Sequence, residues 1–159
     1  MKTRVNIKIG NLFMIYIASD YAGYKLKEKV KNYLSSKKIA YSDLGCDSDK
    51  VKNDFPEFAK KVALIVRKSK KDLGILVCGA GYGMCIAANR LRGVRAVSVF
   101  NALQARYSKT HDNANILCLS KWMTDPQALK GIISTWLVTK FQPLSRRVRR
   151  FKTIDRWPQ

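Results

Sequence analysis

Asp-Leu-Gly-Ile-Leu-Val-Cys-Gly-Ala-Gly-Tyr-Gly-Met-Cys-Ile-Ala-Ala-Asn, residues 72–89, is the stretch on which the fold turns. Ile75, Leu76 and Val77 form a short apolar run that ends at Cys78, the pattern of a strand buried on both faces. Gly79, Gly81 and Gly83 follow at alternate positions, and residues 84–89 read as the start of a helix. A strand, a glycine-rich turn and a helix together aim backbone N–H groups at an anion. The stretch lacks the Walker lysine and the dinucleotide glycine spacing, so it is not a nucleotide fingerprint. A thiol on the last residue of such a strand lies where parallel α/β folds place their chemistry; the plainer reading is a structural turn beside a buried cysteine.

Working outward, strands alternate with helices. Upstream, residues 14–18 read as a strand, 24–36 as a helix with Leu26, Val30, Tyr33 and Leu34 on one face and its lysines toward water, 39–44 as a strand and 55–68 as a helix with Pro56 in its first turn. Downstream, 94–99 is a strand, 101–108 a helix, 116–119 a strand and 126–139 a helix. This alternation with short links predicts an α/β three-layer sandwich with a mostly parallel, five-stranded, Rossmann-like sheet. Residues 1–13 read as an N-terminal extension, 14–140 as the α/β domain, and 141–159 as a basic tail, helical at first and expected to pack on a partner subunit.

The chain of 159 residues carries 31 Lys and Arg against 11 Asp and Glu, a formal charge of +20. Nucleic acid, an anionic surface or a phosphorylated substrate would each suit that charge. The lysines are dispersed and few aromatics interleave with them, so a generally basic surface outweighs nucleic-acid binding. Hydrophobic residues make up 47% of the chain, which argues against wholesale disorder. No apolar run is long enough to cross a membrane. Cys46, Cys78, Cys85 and Cys118 have neither metal-ligand spacing nor the density of a secreted scaffold, so reduced thiols in a cytoplasmic protein are expected. The single histidine, His111, excludes a zinc site of ordinary histidine composition.

His111 lies in a polar loop with Asp112 beside it, where functional groups gather. Cys78 with His111 fits either nucleophilic chemistry or proton transfer. Asp20 follows the first strand as Cys78 ends its own, so parallel pairing would bring both to one sheet edge; a helix cap is the alternative. Cys46, Cys85 and Cys118 read as packed small hydrophobes. Arg146 and Arg150, four apart, would share a helix face and could clamp a phosphate, or simply belong to a solvated tail.

Residues 74–84 and 86–89 resemble the core of the ribose-5-phosphate isomerase type B family, whose relatives include galactose-6-phosphate isomerase subunits. Gly93-Val94-Arg95-Ala96, the run from His111 to Asn115, Asp20-Tyr21-Ala22-Gly23, Asp54-Phe55-Pro56 and the arginine cluster 146–150 continue the likeness in order along the chain. The resemblance implies aldose–ketose isomerisation of a sugar phosphate, most simply ribose 5-phosphate to ribulose 5-phosphate, with neither metal nor cofactor. It also implies a homodimer, in some members paired into a tetramer, with sites at the subunit interface. It makes Cys78 the base, His111 the ring opener and Asp20 a neighbour of the ring oxygen. Gly79, Ala80, Gly81 and Gly83 become the anion hole; Tyr21, Asp112, Arg146 and Arg150 line the substrate site, the arginines reaching it from the partner chain. Tyr21, Phe55, Ala80, Asp112 and Trp122 depart from the family pattern, and at Trp122 a phosphate-binding arginine is usual. These departures leave open another pentose or hexose phosphate as substrate, or a non-catalytic sugar-phosphate-binding relative.

Overall fold

A computed structural model describes residues 13–158; most of the expected N-terminal extension therefore lies outside the described residues. Its strands are β1 (Ile15–Ser19), β2 (Tyr41–Asp43), β3 (Leu73–Cys78), β4 (Ala96–Ser98) and β5 (Ile116–Ser120). Its helices are α1 (Tyr24–Ser36), α2 (Phe55–Val66), α3 (Tyr82–Ala88), α4 (Ala102–Thr110), α5 (Leu129–Val138) and α6 (Ser145–Ile154). The strands form one sheet in the order β2-β1-β3-β5-β4, and every pairing is parallel.

Side chains that alternate across the strands divide the core into two layers. Ile15, Ile17, Ile75, Val77, Leu117 and Leu119 meet Leu26, Val30 and Leu34 of α1 and Leu129, Ile132, Ile133 and Trp136 of α5. Leu76, Cys78, Ile116 and Cys118 point the other way, onto Ala59, Val62, Ala63 and Val66 of α2 and Met84 and Ala88 of α3. The chain leaves β1 toward one edge of the sheet and β3 toward the other. A crevice opens where that order reverses, beyond the carboxyl ends of β1 and β3.

Several boundaries differ from the sequence reading for local reasons. Edge strand β4 shortens because side-chain amides take over its outer polar groups: Asn89 Oδ1 accepts from Ala96 N at 2.8 Å and Asn89 Nδ2 donates to Ala96 O at 2.8 Å. Helix α5 starts three residues late because Asp125 first closes a turn through its carbonyl and its carboxylate. The lysines of α1 do not all face water. Lys27 is fully buried, its Nζ donating to Asp43 Oδ1 and Oδ2 at 2.8 and 2.7 Å and to Cys46 O at 2.7 Å. A buried ammonium requires such partners, and these tie α1 to the loop that leaves β2.

Candidate active site

The first cluster forms at the carboxyl edge. Ser19 pairs with Val77, so Asp20 leaves β1 beside Cys78, as parallel pairing predicts. Asp20 does not cap α1 from the N-cap position, which Gly23 holds; its Oδ1 accepts from Gly23 N at 2.8 Å. A Cβ on Gly23 would lie 2.4 Å from Val77 O. Only glycine lets the start of α1 rest on the β3 backbone at the step before Cys78.

Gly81, at φ 84°, turns the loop and is the N-cap of α3, which begins two residues earlier than the sequence suggests. Gly81 N donates to Cys78 Sγ at 3.0 Å. Burial pushes the Cys78 thiol up and the nearby Asp20 carboxylate adds to that, while backbone N–H groups of Met84, Gly81 and Ala80 pull the other way. Burial likewise raises the Asp20 carboxyl, against N–H donors from Gly23 and Ala22 and the charge of Lys121. Two proton-holding groups thus share a sheltered edge with an arc of aimed N–H dipoles, an arrangement suited to moving a proton beside a developing oxyanion.

Residues that the sequence reading did not single out hold this loop in place. Buried Ser120 donates Oγ–H to Gly79 O at 2.8 Å and accepts from Trp122 N at 3.2 Å and Met123 N at 3.0 Å. Lys121 N donates to Cys78 O at 3.0 Å. A serine closing an apolar strand carries no signal until its neighbour in the sheet is known. The Trp122 ring lies on Gly79, where a Cβ would be 2.6 Å from Cζ2. The Phe55 ring lies on Gly83 in the same way, at 2.9 Å. Tyr21 is half-buried and donates its N–H to Asn53 Oδ1 at 2.9 Å.

The second cluster lies elsewhere. Helix α4 runs back along the sheet, so His111, its C-cap, comes to the amino edge, where Asn115 O accepts from Gly74 N at 2.8 Å. Cys78 is four residues further along β3, about 13 Å at the usual strand rise. The structure therefore does not bring His111 to Cys78 within one chain. It brings His111 and Asp112 to Arg146, Arg147, Arg150 and Phe151, which line a cavity of about 160 Å³. Three arginines and the single carboxylate of Asp112 share that lining.

Helix α6 is held to its own chain by Arg147, the member of the arginine cluster between the two assigned to phosphate. Arg147 is buried, and its Nη1 donates to Thr110 O at 3.0 Å and Gln142 Oε1 at 3.0 Å. It thereby satisfies a carbonyl at the end of α4. Phe151, one turn on, meets Phe141 edge-to-face and lies under the Arg95 guanidinium. Arg146 and Arg150 consequently face outward beside His111.

Of the other thiols, Cys46 and Cys118 are buried as expected and Cys85 is half-buried. A hydrogen bond from the Cys118 side chain, aided by Ser98, draws the Cys85 thiol down to about 6, although its own contact with Ala96 O at 3.1 Å favours the protonated form. Among the described residues no three His, Cys, Asp or Glu side chains gather to hold a metal ion, and no helix is long and apolar enough to cross a membrane.

Residues 15–154 match the family model described as Ribose/Galactose Isomerase. A probable ribose-5-phosphate isomerase B of Mycoplasma genitalium is 42% identical over 147 residues, 91% of this chain and 95% of that protein. The crystal structure of the Mycoplasma genitalium ribose-5-phosphate isomerase B with bound ribulose-5-phosphate is similar at a TM-score of 0.86 and 40% identity, covering 91% of this chain and 95% of that one. A ribose 5-phosphate isomerase from Thermotoga maritima aligns at a TM-score of 0.87 and 43% identity, over 92% of this chain and all of that one.

Proposed function

We propose that this chain, which belongs to the ribose/galactose isomerase family, interconverts ribose 5-phosphate and ribulose 5-phosphate as a cytoplasmic homodimer in which each site takes one cluster from each subunit. The observation that carries this reading is the separation of the clusters. Thiol, carboxyl and anion-hole donors occupy the carboxyl edge, while histidine and outward arginines occupy the amino edge of the same chain. Two copies in antiparallel register would join one cluster of each kind twice. Exposed Tyr82 and Ile86, one turn apart on α3, with Leu103 and Tyr107, one turn apart on α4, supply an apolar face for that contact. Four free thiols suit a reducing compartment.

The chemistry then divides by edge. Arg146 and Arg150 hold the phosphate dianion through charge-assisted donors, and the net charge of +20 draws the anion in. His111 passes the ring proton that opens the furanose. Cys78, as thiolate, takes the proton from C2 of the aldehyde and returns it to C1. The enediolate oxygens meet the N–H groups of residues 79–83, and Asp20 exchanges the hydroxyl proton that leaves one oxygen and joins the other. Anchoring the phosphate at the far end of the chain directs its first two carbons to Cys78.

Mixing two inactive variants, Cys78→Ala and Arg150→Ala, tests the reading. A heterodimer would hold one doubly damaged site and one intact site, so ribulose 5-phosphate formation should reappear on mixing. No recovery despite demonstrated subunit exchange would place both clusters in separate roles, and a parent chain inactive on ribose 5-phosphate would overturn the activity itself.

A further inference from the structure

We infer that Trp122 decides how long a sugar phosphate the site accepts, its indole forming a rigid apolar wall beside Cys78 that favours five-carbon aldose phosphates over six-carbon ones. The inference rests on the isomerase reading above. Trp122 is 70% exposed, against full burial for Trp136. A large indole left in water beside a sheltered thiol has a cost unless something covers it.

Its position is nevertheless tightly set. The six-membered part of the ring lies on Gly79, where a Cβ would meet Cζ2 at 2.6 Å and Cη2 at 2.8 Å. Its backbone N–H donates to Gly79 O at 3.2 Å and to Ser120 Oγ at 3.2 Å. On either side, Lys121 N holds Cys78 O and the Met123 sulfur accepts from the Tyr82 hydroxyl at 3.8 Å. Backbone hydrogen bonds fix the turn that carries it, and the six-membered part of the ring rests on the flat glycine surface. The rest of the ring is exposed beside the glycine loop that follows Cys78.

An indole offers a sugar chain a flat hydrocarbon surface for C–H contact and excludes water from the reacting carbons, which strengthens the nearby donors. It also sets a limit. The substrate is pinned at both ends, with C1 and C2 at Cys78 and the phosphate at the arginines. An additional carbon between those ends can be accommodated only by bowing sideways, and a fixed wall removes room on its side. One carbon in a shaped apolar site is worth about 10- to 200-fold in discrimination.

The test compares kcat/KM for ribose 5-phosphate and galactose 6-phosphate in the parent, Trp122→Ala and Trp122→Phe. In Trp122→Ala the ratio of six-carbon to five-carbon turnover should rise at least about tenfold, with the five-carbon substrate losing activity. Trp122→Phe, which keeps an aromatic wall, should lie between. In a Cys78→Ala background, which binds without turnover, ribose 5-phosphate should shift tryptophan emission, and the shift should vanish in Cys78→Ala/Trp122→Phe although calorimetry still detects binding. Proportional loss on both sugars, or an emission shift that persists without Trp122, would overturn the inference. A parent inactive on both sugars would instead overturn the isomerase reading, leaving the two failures distinguishable.

Discussion

Gly23→Ala places a methyl group where the structure has no space. The added Cβ would lie 2.4 Å from Val77 O, 2.6 Å from Val77 C and 2.9 Å from Cys78 N. These are backbone atoms of a central strand paired on both sides, so the start of α1 must give way. Restoring an ordinary contact of about 3.4 Å needs a displacement of about 1 Å, and overpacking on this scale costs about 1–3 kcal/mol. At about 2–4 °C per kcal/mol for a domain of this size, the midpoint should fall by about 2–12 °C. The same displacement moves Asp20, three residues earlier, relative to Cys78. A misplacement of about 1 Å between reacting groups is worth about 100-fold in rate. Coupled assays of ketose formation at a temperature well below the midpoint would separate the two effects. Gly131→Ala is the control: nothing lies within 4 Å of its Cβ position, and removing a glycine from a helix stabilises by about 1 kcal/mol. A Gly23→Ala protein with parental midpoint and kcat/KM within about threefold of the parent would refute this account of how α1 positions the site.

Lys27→Met keeps the stem of the side chain but removes the charge that faces Asp43 and Cys46 O. Breaking a buried pair costs about 3–5 kcal/mol, and because Lys31 still reaches Asp43 at 2.7 Å the loss in urea unfolding should lie near the lower end; a change below about 1 kcal/mol would contradict the assignment. The pH profile of kcat/KM should rise on the alkaline side. Burial raises the Cys78 thiol, the thiolate is the active form in the proposed mechanism, and its fraction grows only as pH approaches that raised value. A rising limb complete by about pH 6 would mean that another group supplies the base.

The helical stripes and the run ending at Cys78 carried most of the fold, because buried faces in contiguous elements leave a period in the sequence. Helix α1 was bounded correctly at both ends, and Asp20 and Cys78 reached the same edge as parallel pairing required. Edge strand β4 was overextended because Asn89, which the reading left within the preceding helix, serves its outer polar groups. Lys27 was misplaced because amphipathic periodicity treats every lysine as solvated; its partners Asp43 and Cys46 become visible only once β2 and α1 pack. The site was legible as residue types but not as geometry. Nothing local in the run from Thr110 to Asn115 states that α4 carries His111 away from the cysteine edge, since that follows from strand order and helix direction.

The docking of Arg147 onto Thr110 O and Gln142 ties α6 to the end of α4. In the proposed dimer, the spacing between the ring-opening histidine and the phosphate-binding arginines is thus an internal dimension of a single subunit. The spacing from those groups to the thiol is not, because it is set across the interface by how α3 and α4 of the two copies meet. The pair of subunits then behaves like a caliper: one jaw carries the proton-transfer groups, the other the anchor, and the subunit contact fixes the opening. Substitutions at Ile86 or Leu103, on that apolar contact face, would reset that opening and change which sugar spans it, while leaving each jaw intact.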